Sequence, residues 1–488
     1  MSLGHLFQTT AGRLASKTAL ICGNEAVSYA ELDLRARGVA GALLARGVRP
    51  GDRVGIHSTN SIDAVTLLLA CFHAGLIAVP VNVRLKAAEV AYVLGHAQPV
   101  LCYSQPSLAP VAQAAVQECT LDIPIITGLP AAVPDPPAFD EVLEGSPALI
   151  LYTSGTTARP KGVTHSHATL LGTAATMWPV DVVESATMMV AVPLMHASGL
   201  TATMIPGLLA GATLVLLPAF EPGAMLDHIE RYQCTWGLGL PVMMLAASAE
   251  QERVPRNVSS LRTWVAGGDA VPVALQERFQ RLFGIPLLEG LAMTESLVIA
   301  WNRPHAVRAG SVGTASENHE VRVLSLTGQP LDVGETGELA VRSPANFIGY
   351  WNDPAATAGV LHDGWLLTGD LGRQDAEGYI WFAGRRKEVI IRGGSNISPQ
   401  EVEEALYGHP AILEVGVIGL PDPTFTEQVV ACVALREGRH ALEQELRDFA
   451  RQRLADYKVP ERIVFLSSLP KGLTGKVQRR ALKELSIM

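Results

Sequence analysis

The chain has 488 residues, 48% of them hydrophobic, and a formal net charge of −9 at pH 7. That length can bury a large core and divide into more than one domain. The acidic balance argues against a nucleic-acid-binding surface as its main business. Six cysteines (Cys22, Cys71, Cys102, Cys119, Cys234 and Cys432) are scattered without a C-x-x-C or a Cys/His cluster. They read as buried thiols in a reducing, cytoplasmic setting, not as a zinc site.

In chain order, the first 17 residues lack a basic region followed by an apolar core, so no signal peptide is expected. Residues 28–46 place Leu32, Ala36, Val39 and Leu43 at the spacing of an amphipathic helix. Gly47 and Pro50-Gly51 stop it, and residues 53–57 follow as a short strand. Two apolar stretches, 64–81 and 200–217, invite a membrane reading. His73, Gly75 and Pro80 interrupt the first; Pro206, Gly207 and several threonines interrupt the second. Each is therefore predicted as buried helix, glycine break and buried strand. The likeness of AGLIAVPV (74–81) to AGATLVLL (210–217) suggests two subdomains of similar build.

Further strands at 100–103, 149–152, 188–192, 213–217 and 263–266, separated by helical segments, predict parallel α/β layering over most of residues 1–384. Residues 130–147, beginning PAAVPDPPAF, read as a surface connection. The hydrophobic run 148–151 then enters YTSGTTARPKG (152–162), a stretch rich in hydroxyls and backbone N–H groups suited to phosphate oxygens. It is not a Walker A loop. Counted from Gly155, Pro160 stands where that motif needs glycine. Gly162 follows Lys161 where a magnesium-holding Ser or Thr is needed.

The character changes after Gly384. Residues 385–488 carry 16 Lys+Arg against 14 Asp+Glu, whereas residues 1–384 carry 22 against 33. Ser398-Pro399-Gln400-Glu401 spells a capping box with proline at the first helical position, predicting a helix to about Gly408. Strands at 414–418, 429–435 and 462–466 and a helix over 442–454 complete a small α+β unit. Set on an acidic body, this slightly basic unit looks like a lid over an anionic ligand.

Together the motifs resemble the adenylate-forming superfamily: acyl-CoA ligases, nonribosomal peptide adenylation domains and luciferase. YTSGTTARPKG is similar to its phosphate-binding signature. PLMHASG (193–199), AGGD (266–269), MTE (293–295), GELAVRSP (337–344) with GYW (349–351), and GWLLTGDLG (364–372) follow in the family's order. GRRKEVIIRGGSNISPQEVE (384–403) and PKGLTGKVQRR (470–480) close a series that spans nearly the whole chain. The resemblance implies an α/β fold. A large N-terminal domain of layered α/β subdomains, with a small β subdomain, would take residues 1–384. A small mobile α+β C-terminal lid would take residues 385–488, hinged near Lys387.

It also implies the chemistry. Carboxylate attack on the α-phosphate of ATP gives an acyl adenylate and pyrophosphate, after which the thiol of CoA displaces AMP. An anion approaching a triphosphate needs positive charge and donors where charge builds. Thr153, Ser154, Gly155, Thr156, Thr157 and Lys161 match the phosphate grip. Glu295 matches the magnesium ligand, with Thr294 beside the phosphates. Asp370 and Arg385 match the ribose holders, and Gly268, Asp269, Leu291 and Ala292 further nucleotide contacts. Leu291-Ala292 stands where the family usually carries Tyr-Gly, so adenine packing is expected to be aliphatic or borrowed from elsewhere. Lys476 matches the lid lysine of adenylation. Lys387 matches the hinge, and Gly393, Gly394 and Ser395 a loop that lines the pantetheine tunnel once the lid swings. His196 matches the residue between acyl pocket and tunnel.

The aspartate that pairs an amino-acid ammonium in peptide-forming relatives is missing at His196-Ala197. An ATP-dependent acyl-CoA ligase is expected, working with ATP, Mg2+ and coenzyme A on a small carboxylic acid. Neither nucleic acid nor an integral membrane segment is expected, and a homodimer is left open. Two other readings are a luciferase-type oxygenase and a catalytically inactive nucleotide-binding protein; retained Lys476, Glu295 and Asp370 argue against the second. The acyl pocket is expected at Trp236, Gly239, Met243, Gly267 and Val298. Its methionines, leucines and few charges point to an apolar acid, with a medium- or long-chain fatty acid first and an aryl or alicyclic acid second.

Overall fold

The computed structural model describes residues 1–487 except 120, 135, 137, 138, 140, 154–159, 270, 326, 393, 394 and 473–475. The fold is α/β, with a large N-terminal domain and a small C-terminal one. Helix Tyr29–Ala45 shows how local sequence sets an element. Ser28 Oγ accepts from the Glu31 N–H while the Glu31 carboxylate accepts from the Ser28 N–H, a complete capping box. Leu32, Ala36, Val39 and Leu43 form its buried stripe.

Two sheets build the body. In the first, strands Trp236–Gly239, Thr263–Gly267 and Leu287–Leu291 run parallel beside Thr187–Val190, Thr213–Leu216 and Thr18–Cys22. In the second, Arg53–His57 lies between Ile77–Val81 and Leu101–Ser104, and Pro147–Thr153, Lys161–Ser166 and Gly349–Tyr350 complete one edge. Every residue of Ile77–Val81 is buried, the pattern of a parallel strand covered on both faces.

The two apolar stretches resolve as the sequence suggests. Helix Ile62–His73, Gly75 at φ +64° and strand Ile77–Val81 make one unit. Helix Ile205–Ala210, Gly211 at φ +89° and strand Thr213–Leu216 make the other. Glycine takes these left-handed turns without a Cβ penalty. Each sheet holds one of the units, which accounts for the local sequence likeness. Among the described residues, no helix is long and apolar enough to cross a membrane. Residues 130–146 carry no helix or strand among those described.

Between Glu320 and Arg385 the pairing is antiparallel. Glu320–Leu324, Gly337–Arg342, Trp365–Gln374 and Ile380–Arg385 make a separate small sheet. The C-terminal unit has its own sheet, centred on the long hairpin Ile412–Asp422 and Thr426–Leu435, with helices Pro399–Tyr407 and Glu443–Arg451. Val402, Leu406, Val415, Val433 and Leu446 give it its own core. Ser398 caps the first of those helices through Oγ and the Glu401 N–H.

Candidate active site

The carboxyl ends of strands Trp236–Gly239, Thr263–Gly267 and Leu287–Leu291 open into a cavity of about 530 Å3. Open parallel sheets bind ligands at that end. Residues 366–370, 385–387 and Lys476 close the cavity from the C-terminal side.

At one end stand Thr153 and Lys161, the last and first residues of two antiparallel strands and directly opposite one another. A Walker loop leads instead from a strand into a helix, so the topology separates the two as the residues do. Ser154, Gly155, Thr156 and Thr157 lie outside the described residues. The stems around them are tied down. Tyr152 Oη lies 2.8 Å from His96 Nδ1, and Tyr92 Oη donates to the Pro160 carbonyl at 2.9 Å. Burial lowers the His96 imidazole, against an opposing pull from Asp353. A side chain at Gly162 would meet Trp351 Cβ at 3.1 Å, which explains the glycine after the lysine.

Thr294 and Glu295 follow. The Thr294 carbonyl lies 2.8 Å from His165 Nε2. Burial pushes His165 down to about 4, so the ring is neutral with its proton on the nitrogen facing that carbonyl. The Glu295 carbonyl accepts from the Phe347 N–H at 2.8 Å, and its Oε1 accepts from Tyr350 Oη at 2.8 Å. The ammonium of Lys161 sits 4.5 Å over the Tyr350 ring.

At the next corner Asp370 and Arg385 are cross-strand partners, with Arg385 Nε 3.4 Å from Asp370 Oδ1. Burial pushes Asp370 up to about 6, against the pull of Arg385 and Lys476. The turn before it is fixed by Glu338, which accepts from the Gly369 N–H at 3.0 Å and from Arg386 at 2.7 Å. Lys476 reaches over Gly268: a Cβ at that glycine would lie 4.0 Å from Lys476 Cε. Burial and Arg385 lower the lysine, while Asp269, Asp370 and Glu388 work to keep it charged. Gly268, Leu291, Ala292 and Lys387 also line the cavity. Leu291 packs against Ile299, Ala300 and Val341, so the wall there is aliphatic. Asp269 faces the C-terminal unit, adding to the field at Arg479 and Tyr407. Just beyond it, buried Glu289 holds the Val271 N–H at 3.1 Å and Gln276 at 2.9 Å.

Of the five residues expected at an acyl pocket, the structure brings two to the cavity. Gly267 and Val298 line the cavity, but Trp236, Gly239 and Met243 do not. Trp236 starts its strand, below the carboxyl end, and is fully buried with Nε1 donating to the Val180 carbonyl at 2.8 Å. Gly239 is backed by Met244, whose Cε would lie 2.5 Å from an added Cβ. Leu238, Leu240, Met195 and Trp301 stand on the wall instead. Val298 holds φ +59°, a left-handed conformation that costs a β-branched residue strain.

His196 borders this end. Its Nδ1 accepts from the Ser198 N–H at 3.3 Å and lies 2.9 Å from Ser198 Oγ. Burial, with a smaller push from Lys476, lowers it to about 4. The segment is anchored by buried Asn60, whose Oδ1 accepts from the Leu194 N–H at 2.7 Å while Nδ2 donates to the Val192 and Leu217 carbonyls, both at 3.0 Å. Ser395 lies on the hairpin of Ile390–Arg392 and Ser395–Ile397, off the cavity wall; Gly393 and Gly394 lie outside the described residues.

The family model described as AMP-binding enzyme matches residues 7–351, and the model for the AMP-binding enzyme C-terminal domain matches residues 401–476. A feruloyl-CoA synthase from Amycolatopsis sp is 38% identical, covering 95% of this chain and 96% of its own. A long-chain-fatty-acid–CoA ligase from Bacillus subtilis is 32% identical, covering 99% and 94%. Among solved structures, the anthranilate CoA ligase AuaEII in complex with anthranoyl-AMP superposes with a TM-score of 0.92 at 28% identity, covering 100% of this chain and 98% of that one.

Proposed function

The chain belongs to the AMP-binding enzyme family, the adenylate-forming superfamily, and is an AMP-forming acid–CoA ligase; on that premise we propose how its residues divide the work. One observation carries the assignment. Lys161, Glu295, Asp370, Arg385 and Lys476, drawn from separate motifs, line a single cavity.

Asp370 accepts the ribose hydroxyls of ATP with Arg385 beside it, and Leu291 and Ala292 pack the adenine. Lys161 and Thr153 grip the β- and γ-phosphates together with Ser154, Thr156 and Thr157. The carboxylate oxygen of the acid attacks the α-phosphorus; as that O–P bond forms, the bond to the β-phosphate oxygen breaks and pyrophosphate leaves. Lys476 neutralises the charge gathering there. In the second step the thiol of CoA gives up its proton to water, its sulfur attacks the acyl carbonyl, a C–S bond forms, and AMP departs with the C–O electrons. Neutral His196 stands between the acyl pocket and the path of the thiol. Residues 385–488 act as the lid and pivot near Lys387. Six unpaired cysteines suit a reducing, cytoplasmic setting.

Glu295 fits magnesium. It is a carboxylate beside the phosphate grip, and its Oε2 has no protein partner among the described residues. No group of three or more metal-ligating side chains competes with it among those residues. A bound ion would take its remaining ligands from phosphate oxygens and water and neutralise their charge.

For the acid, the geometry supports an aryl or alicyclic body. Gly267 and Gly290 face each other across neighbouring strands with no room for side chains, an added Cβ at Gly267 meeting the Gly290 carbonyl oxygen at 2.9 Å. Gly267, Gly290 and Trp301 all line the cavity, so this stretch of wall offers backbone and an aromatic residue in place of aliphatic side chains, a surface suited to a ring. The feruloyl and anthranilate ligases are in keeping with this. A medium- or long-chain fatty acid is the second reading, favoured by the aliphatic Leu238, Leu240 and Val298 and by the Bacillus relative. The deciding experiment measures CoA-dependent AMP formation with benzoates, cinnamates and fatty acids from octanoate to palmitate. The highest kcat/KM is expected on an aryl acid. A fatty-acid preference would overturn that choice, and no AMP with any acid would remove the residue assignments.

A pH dependence follows from Asp370. The ribose contact needs its carboxylate ionised, and burial has raised the group to about 6. ATP affinity should therefore be full above that value and fall as pH drops through it, approaching about tenfold per unit. Calorimetric ATP binding between pH 5 and 8 (about that range) checks this, with Asp370→Asn as the control that isolates the titration of ATP itself. Parallel pH profiles for the two proteins would show that Asp370 does not set the limb.

A further inference from the structure

Tyr350 belongs to no step described so far, yet it touches both charged partners at the phosphate end. Its strand, Gly349–Tyr350, is antiparallel to Lys161–Ser166, with Tyr350 opposite Val163 and the Trp351 N–H donating to the Gly162 carbonyl at 2.7 Å. The same segment holds Glu295 twice, by the Phe347 N–H on its carbonyl and by Tyr350 Oη on its carboxylate. Phe347 braces the tyrosine edge-on, with ring centroids 4.9 Å apart. The Thr357 hydroxyl accepts from the Tyr350 N–H at 2.9 Å. The phenol ring thus lies under the Lys161 ammonium while its hydroxyl occupies one oxygen of Glu295. Among the described residues, Lys161 and Glu295 form no ion pair with each other or with any other group.

A lysine and a glutamate that both contact one tyrosine could instead pair with each other, which would remove the cation from the phosphates and the carboxylate from a metal. We propose that Tyr350 is a positioning residue that keeps Lys161 and Glu295 apart and aimed, its π face steadying the ammonium and its hydroxyl orienting the carboxylate toward a phosphate-bound divalent cation. This rests on the ligase reading and adds a role for a residue outside the phosphate grip and the magnesium ligand.

The two contacts can be removed separately. Tyr350→Phe keeps the ring under Lys161 and loses the bond to Glu295; Tyr350→Leu loses both. ATP binding to the full chain is measured by calorimetry across a MgCl2 titration and again in EDTA. For Tyr350→Phe the half-saturating Mg2+ rises about tenfold or more, the loss of one hydrogen bond to a charged group, while metal-free ATP affinity is unchanged. For Tyr350→Leu metal-free ATP affinity also falls, by about threefold. A Tyr350→Phe titration that superimposes on the wild type overturns the proposal, as does metal-free binding by Tyr350→Leu at wild-type strength. The ligase reading fails separately: a wild-type chain that binds no ATP sinks it, and ATP binding indifferent to Mg2+ removes the metal from Glu295 and this proposal with it.

Discussion

Replacing Lys476 with alanine will lower acyl-adenylate formation by roughly a hundredfold or more, the scale of losing a donor aimed at transition-state charge. The lysine is brought to the cavity by the C-terminal unit, where its Cε approaches Gly268 on the carboxyl end of a body strand. Taking an ammonium this far from water is costly, and burial lowers it accordingly; Asp269, Asp370 and Glu388 supply the opposing field. That arrangement has little structural benefit by itself. It becomes useful when an incoming carboxylate and an α-phosphate both add negative charge to the same spot. The effect should be confined to the first half-reaction, because AMP is already the leaving group once the adenylate exists. Thioester formation from preformed acyl adenylate and CoA should therefore proceed at the wild-type rate. Single-turnover assays of each half-reaction decide the matter, and equal losses in both would remove the assignment.

What the sequence made legible, and what it did not, divides by distance along the chain. Helix Tyr29–Ala45 was readable because its buried stripe and its cap lie within one segment. The glycine breaks at Gly75 and Gly211 were readable for the same reason. Lys161, Asp370 and Lys476 could be named because each sits inside a contiguous motif, although nothing in composition or spacing says that they meet. The supports were invisible. Asn60 reaches Leu194, Tyr92 reaches Pro160 and His165 reaches Thr294, each as a single polar side chain from a segment far away in sequence. In the chain such residues look like any other asparagine, tyrosine or histidine. The depth of the cavity was not legible either, for a geometric reason. Trp236 and Leu238 share a face of one strand, but only the residue nearer the carboxyl end reaches the cavity, and sequence does not say how deep the floor lies.

Replacing Lys387 with proline should leave adenylation within about threefold of wild type while lowering CoA-dependent turnover by about a hundredfold. In the structure Lys387 lies in a tight turn. The Arg386 N–H donates to the Gly369 carbonyl before it, and the Glu388 N–H donates to the Arg385 carbonyl across it. Beyond that turn the C-terminal unit holds Lys476 over Gly268, and Glu404 accepts from the Val273 N–H at 3.1 Å at the start of helix Val273–Phe283. In the proposed division of work this arrangement serves the first step. Ser395, expected near the path of pantetheine, is off the cavity wall, and on the proposed mechanism the unit turns for the second step and those contacts break. Rotation of that kind needs a change in backbone dihedrals at a few residues. Proline fixes φ near −65° and restricts the residue before it as well. Pyrophosphate release followed without CoA should then look normal, while acyl adenylate accumulates when CoA is present. Unchanged overall turnover in Lys387→Pro would move the pivot to another residue. Loss of adenylation as well would show that proline had disturbed the turn itself, and Lys387→Ala, which leaves φ free, would then have to restore both half-reactions for the hinge to stand.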